Sequence, residues 1–102
     1  MTHNKQNQSL MIDSDKKKKY HQLKHLNSQH YRALRLMHQG LNNVEIAEAM
    51  DRSTKTIESY TSYIYDILGQ DNRVKAVLFY ERFLVDYMKY GNTIGFEPLS
   101  WL

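Results

Sequence analysis

The fold is decided by the stretch LNSQHYRALRLMHQGLNNVEIAEAMDRSTKTIESYTSYIYDILGQDNRVKAV, residues 26–77. Asn27 or Ser28 can cap a first helix that runs through His38, and Gly40 lies where a left-handed residue would end it. The apolar residues of this helix recur at a spacing of three, as on one face of an α-helix: Tyr31, Leu34 and Met37. The stretch therefore opens with an amphipathic helix.

Two further helices follow, separated by a short polar turn. Asn42 or Asn43 can cap a second helix, which ends after about two turns at residues 51–53. Ser53 can cap a third helix, and Gly69 is its expected end. Apolar positions in the third helix recur at spacings of four, three and four: Ile57, Thr61, Ile64 and Leu68. A short helix, a tight turn and a helix with a polar outer face form a helix-turn-helix.

A fourth helix is predicted from Asp71 or Asn72 to Tyr90, with Gly91 closing it. We expect its first apolar residues, Val74, Val77 and Leu78, to face the core. The later ones extend beyond what that core can cover: Phe79, Tyr80, Phe83, Leu84, Tyr87, Met88 and Tyr90. This surface must be buried by the N-terminal segment, by a second subunit or by the tail. The apolar residues of that tail are Ile94, Phe96, Leu99 and Trp101.

The two ends of the chain differ from the middle. Residues 1–25 carry six lysines against two aspartates and are expected to form a flexible basic arm, although a helix from Ser14 through Leu26 is the alternative. The lysines at 16–19 either contact phosphates or are a solvated charge run. Residues 91–102 contain two glycines and the only proline, and are expected to be an irregular apolar tail. The fold class is thus all-α, with one domain over residues 26–90.

Composition excludes several functions. A chain of 102 residues has room for one small domain. It has no cysteine, no long apolar run and no signal-peptide pattern at its N-terminus, so we expect a cytoplasmic protein without disulfides or thiolate metal sites. No nucleophile, base and orienting group can be assembled, which argues against an enzyme, and no cofactor is predicted. His21 and His25 have metal-ligand spacing, but no third ligand accompanies them, so no metal site is predicted.

Residues 26–77 resemble the LuxR-type helix-turn-helix family, also called the GerE or NarL/FixJ output domain, without a gap. The matching positions are Leu26, Leu34, Leu36, Gly40, Asn43, Glu45, Ile46, Ala47, Ser53, Thr56, Ile64, Leu68, Asn72, Arg73, Ala76 and Val77. The resemblance implies a DNA-binding transcription regulator whose third helix, residues 54–67, lies in the major groove. It also implies dimerisation through the fourth helix, and we prefer a homodimer to a monomer closed by its own tail. The expected dimer residues are Phe79, Tyr80, Phe83, Leu84 and Tyr87.

By position, the resemblance assigns DNA contacts to the third helix and its flanks. The candidates are Lys55, Thr56, Glu58, Ser59, Ser62 and Tyr63, with Arg52, Arg73 and Lys75 as phosphate contacts. This chain departs from the family at Glu58 and Ser62, where lysines are common, at Tyr60, where histidine is common, and at His30, where glutamate is usual. Two functions therefore remain: a sequence-specific DNA-binding dimer, or an interaction module that binds RNA polymerase or another regulator.

Overall fold

The computed structural model describes residues 11–95. This part of the chain contains five α-helices and two short 3-10 helices. The α-helices are α1 (Ser14–Tyr20), α2 (Ser28–His38), α3 (Asn43–Met50), α4 (Thr54–Leu68) and α5 (Arg73–Tyr90), and the 3-10 helices are His21–His25 and Gly91–Ile94. Because these residues include no strand, the all-α prediction is confirmed. The first half of the predicted arm and the tail residues Phe96, Leu99 and Trp101 lie outside the described residues.

Polar side chains begin the four helices that the sequence predicted. Each accepts a hydrogen bond from a backbone N–H in the first turn, and such a cap contributes about 1 kcal/mol to helix stability. The caps are Asn27, Asn42, Ser53 and Asn72. At Asn42 the bonding is reciprocal, because the Glu45 carboxylate in turn accepts from the Asn42 N–H at 2.8 Å. Local sequence therefore sets where each helix starts.

The turn between α3 and α4 depends on a left-handed residue. Asp51 has φ 54°, and it is the only non-glycine residue with positive φ between residues 11 and 95. This conformation brings the Arg52 N–H to the Ala47 carbonyl at 2.9 Å and ends α3. The turn is short as a result, and α4 starts only four residues after α3 ends.

The core lies between α2, α3, α4 and α5. The apolar positions predicted for the helix-turn-helix are buried there: Leu34, Ile46, Ala47, Ile57, Ile64 and Leu68. Two predictions for α5 are wrong, however. Val74 and Leu78 were expected to face the core, but 66% and 44% of their surfaces are exposed. The inward face of α5 is instead formed by Ala76, Phe79, Tyr80 and Phe83.

The N-terminal segment covers the aromatic half of α5. Residues 14–25 are helical rather than a flexible arm, and the Tyr20 ring lies edge-on to Phe79 and Phe83, at centroid distances of 5.8 and 5.4 Å. Leu23, in the 3-10 helix that follows, is fully buried as well. The prediction that Phe79, Tyr80 and Phe83 mediate dimerisation is therefore corrected, because this chain buries them itself.

The second 3-10 helix completes this covering layer. Ile94 is fully buried, and its carbonyl oxygen lies 2.5 Å from Nε2 of His21. Both ends of the described chain thus meet on α5. The N-terminal segment and the beginning of the tail thus complete the cover that α2 and α4 give to the inward face of α5.

Candidate nucleic-acid interface

The outer face of α4 is polar and uncovered. Its inward residues, spaced by three or four, anchor the helix in the core, so the intervening residues point outward. Those exposed on this face in the first two-thirds of the helix are Lys55, Glu58, Ser59, Ser62 and, at 39%, Tyr63. All five are predicted contact residues, and the structure brings them together on one surface.

At the N-terminus of α4, the cap uses some of the predicted contact groups. The Ser53 hydroxyl accepts from the Thr56 N–H at 3.1 Å and donates to the Thr56 hydroxyl at 3.0 Å. Thr56 is half-buried, so its hydroxyl serves the cap first. Arg52 and Lys55 are exposed beside it and leave positive charge at the start of the helix.

The charge of this face is balanced. Glu58 is exposed and forms no ion pair among residues 11–95, and Lys55 is likewise unpaired there. One cation and one anion within a turn of each other leave little net attraction for phosphate. The charges of Lys55 and Glu58 therefore largely cancel on this part of the face.

Two predicted phosphate contacts lie on α5 in different environments. Arg73 is half-buried, and its guanidinium donates to the Leu41 carbonyl at 3.1 Å and to the Asn43 side-chain oxygen. These bonds join α5 to the loop before α3 and to the first residue of α3, so the Arg73 guanidinium has a structural role in the fold. Lys75 is exposed and 3.2 Å from Asp71, an exposed pair that contributes little to stability.

The comparison with known families agrees with this geometry. The family model for bacterial regulatory proteins of the luxR family, the GerE domain, matches residues 25–80. The chain belongs to this family. No curated protein and no solved structure matches it. The match spans α2 to α4 and the first part of α5, so this LuxR-type domain is a DNA-binding helix-turn-helix of the transcription-regulator class, with α3 and α4 as its two helices.

An aromatic cluster that includes the predicted contact residue Tyr63 supports α4 from the side. The His30 ring lies 4.5 Å from the Tyr63 ring and 5.1 Å from the Tyr60 ring, measured between centroids. The Tyr63 hydroxyl donates to the His25 carbonyl at 3.4 Å. Burial lowers the pKa of His30. Two positions where the LuxR-type domain departs from its family, His30 and Tyr60, are therefore in contact with each other.

The described residues contain neither a cluster of metal ligands nor a membrane-spanning helix. Within residues 11–95, histidines and acids do not gather in groups of three or more that could bind a metal ion. His21 contacts the Ile94 carbonyl through Nε2, so the fold already uses one of the two histidines with metal-ligand spacing. In the same part of the chain, no helix has the length and apolar character that crossing a membrane requires.

Proposed function

We propose that this LuxR-type domain binds specific DNA sequences as a homodimer in the cytoplasm, with the first half of α4 in the major groove. The observation that carries the proposal is the outer face of α4. Its polar side chains Lys55, Glu58, Ser59 and Ser62 belong to the second helix of a helix-turn-helix, and all four are exposed to solvent. In this class of domain the second helix contacts base edges with its N-terminal residues.

Each exposed side chain has a role that suits its chemistry. Lys55 can donate to guanine, Ser59 and Ser62 can donate to or accept from either base type, and Glu58 can accept from the cytosine amino group. Arg52, Lys75 and the hydroxyl of Thr56 are suited to phosphate oxygens. The Glu58 carboxylate repels the phosphates of any DNA and so lowers affinity for DNA in general. Its hydrogen bond to cytosine would favour one base pair over the others.

The dimer surface that we now propose differs from the buried aromatic set. The exposed apolar residues of α5 are Val74, Leu78, Val85 and Met88, at spacings of four, seven and three. These spacings place them on one stripe of the helix, as in the seam of a helix pair. The half-buried Leu84 can flank it, whereas Tyr87 packs against Phe83 on the inward side. Two copies joined along this stripe would present two α4 helices to half-sites about 34 Å apart, one turn of DNA.

The charge on α4 offers a direct test. Glu58→Lys removes the anion from the outer face and should raise affinity for nonspecific duplex DNA at low salt about tenfold, with a steeper salt dependence. Asp66→Lys is the matched control, since Asp66 is also exposed on α4 but lies about 12 Å farther along the helix. Selection from random and genomic fragments by the unmodified protein should enrich one sequence. Equal effects of both variants, or no enrichment, would contradict the proposed mode.

The balanced charge of the α4 face also suits a protein partner, so binding to RNA polymerase or another regulator is the second candidate. Tyr63 favours it, because its ring is 39% exposed on the same face and exposed tyrosines are common in interfaces. If duplex DNA shows no salt-dependent binding while purified RNA polymerase binds the unmodified protein and not the Tyr63→Ala variant, this candidate replaces the first.

A further inference from the structure

A basic groove lies at the far end of α4 from the proposed DNA-reading residues. It is a cavity of about 550 Å³ between α1, the end of α4 and α5. Pockets for small molecules have volumes of about 300–1,000 Å³. Leu68, which lies in its wall, is ten residues after Glu58 and hence about 15 Å farther along the helix. The groove and the reading face are therefore separate places on the domain.

Five cations surround this basic groove. Lys16, Lys18 and Lys19 come from α1, and Lys75 and Arg82 come from α5. No acid lines it, although Asp86 lies 3.8 Å from Lys16 and Asp71 lies 3.2 Å from Lys75. Lys18, Lys19 and Arg82 form no ion pair within residues 11–95. The fold therefore holds several like charges close together, and an anion bound between them would relieve their repulsion.

Helical spacing places four of these cations on two helix faces that line the groove. Lys75, Phe79 and Arg82 are separated by four and three residues, so they share one face of α5. Lys16, Lys19 and Tyr20 share one face of α1 in the same way. The hydrogen bond from the Tyr20 hydroxyl to Asp86, at 2.5 Å, fixes the two helices against each other. A ligand in the groove would thus meet cations on two rigid elements.

The floor and rim of the groove differ chemically from its charged walls. Leu68, Tyr20 and Phe79 form an apolar floor, with Phe79 the most accessible of the three at 9%. Gln22 and Gln70 lie at the rim, and each amide supplies both a donor and an acceptor. The Gln70 amide nitrogen already donates to the Leu68 carbonyl at 3.1 Å, which leaves its oxygen to face a ligand. A ligand that satisfies the whole surface has several anionic oxygens and a partly apolar body.

We propose that the basic groove binds a small phosphorylated ligand of the nucleotide class. Its phosphates lie between Lys19 and Arg82, where charge-assisted hydrogen bonds are available from both sides, and its ring lies against Phe79. The concave shape and the apolar floor favour a small molecule over the backbone of duplex DNA. Lys75 is the one cation that the groove shares with the proposed DNA contacts, whereas the base-reading residues of α4 lie outside the groove, so binding at either place can fail without the other.

Calorimetric titration of the full chain at fixed ionic strength tests the proposal, with magnesium-free ATP as the probe. Adenosine and inorganic tripolyphosphate, which represent the two parts of ATP, are titrated separately. We expect ATP to bind with a Kd of about 10–100 µM, and each part to bind at least about tenfold more weakly. Lys19→Gln with Arg82→Gln should weaken ATP binding by about tenfold or more. The matched control, Lys24→Gln with Lys89→Gln, removes the same charge from exposed sites outside the groove and should change it less than about twofold.

Three results would overturn the proposal: tripolyphosphate binding as tightly as ATP, both double variants weakening ATP equally, or no ATP binding. If ATP does not bind, and Lys19→Gln with Arg82→Gln lowers affinity for duplex DNA while the control variant does not, the groove binds the DNA backbone instead. Amide chemical-shift changes in the unmodified protein do not depend on any variant folding. With ATP they should centre on Gly69 and Gln70, and changes centred on α4 residues 55–62 would contradict the site.

Discussion

The Tyr20 hydroxyl donates a hydrogen bond to Oδ2 of Asp86 at 2.5 Å, which joins residues that are 66 positions apart in the chain. Burial, together with the hydrogen bond to Asp86 and its negative charge, raises the pKa of Tyr20, so the phenol remains a donor throughout the neutral range. Lys16 approaches the same carboxylate at 3.8 Å. This contact makes the N-terminal helix part of the domain and covers the aromatic half of α5.

Replacing Tyr20 should separate the two contributions of its side chain. Tyr20→Phe keeps the ring against Phe79 and Phe83 but removes a hydrogen bond to a charged acceptor, and should lower the free energy of unfolding by about 1.5–3 kcal/mol. Tyr20→Ala also opens a cavity and should cost about 3–5 kcal/mol. Urea unfolding measures both values. If Tyr20→Ala costs under about 1 kcal/mol, α1 does not stabilise the domain as described.

The exposed stripe on α5 should control the oligomeric state. Leu78 and Val85 are 44% and 54% exposed within one chain, so charge at these positions is tolerated by the fold and repelled across a symmetric dimer. Leu78→Glu with Val85→Glu should weaken self-association at least about a hundredfold, as measured by sedimentation equilibrium. Val44→Glu is the matched control, because Val44 is 62% exposed but lies on α3. A dimer that survives the double change would exclude this stripe as the interface.

The sequence was sufficient to predict the helix-turn-helix because its signals are local. Caps such as Asn42 and Ser53 and the spacing of Ile57 and Ile64 act within a few residues of themselves, and the structure has each where the pattern placed it. The covering of α5 could not be predicted in the same way. The residues that Tyr20 contacts are more than fifty positions away in the chain. In addition, the run of lysines before Tyr20 interrupts the apolar pattern by which α1 could have been predicted as a packed helix.

The candidate site, like the fold, could be predicted from the sequence only in part. Side chains that face outward on α4 follow from helical spacing, so Lys55, Glu58 and Ser59 are where the sequence implied. Arg73 could not be assigned, because its partners Leu41 and Asn43 are on another element. The basic groove was missed for the same reason, since the cations that line it come from two helices far apart in sequence.

The left-handed turn at Asp51 gives a prediction about stability. An L-residue at φ 54° is strained, and aspartate tolerates this region better than branched residues do. Asp51→Gly should leave stability unchanged or raise it by up to about 1 kcal/mol, whereas Asp51→Val should lower it by about 1–2 kcal/mol. Thermal unfolding at one pH compares the two directly. If the valine variant is as stable as the glycine variant, the backbone at this turn is not left-handed.

His30 should make the stability of the domain depend on pH. Its Nδ1 lies 3.4 Å from the Asn27 N–H and accepts from it, so the neutral ring completes the capping box of α2 and packs against Tyr60 and Tyr63 of α4. Burial lowers the pKa of His30 in the folded state below its ordinary value of about 6.5. Between those two values the unfolded chain binds more protons, so the contribution is fully present above about pH 6.5 and falls as the pH drops toward the folded pKa.

His30→Gln tests this dependence, because glutamine keeps an acceptor at the third position of α2 but does not titrate. The free energy of unfolding should fall less steeply for this variant than for the unmodified protein as the pH drops from about 6.5 to 5. His25→Gln is the control, since His25 is exposed and its contact with Tyr63 uses only the backbone carbonyl. Urea unfolding at a series of pH values gives the slopes. Parallel slopes for His30→Gln and the unmodified protein would mean that the ring does not titrate with folding, and protonation would then leave the support of α4 unchanged.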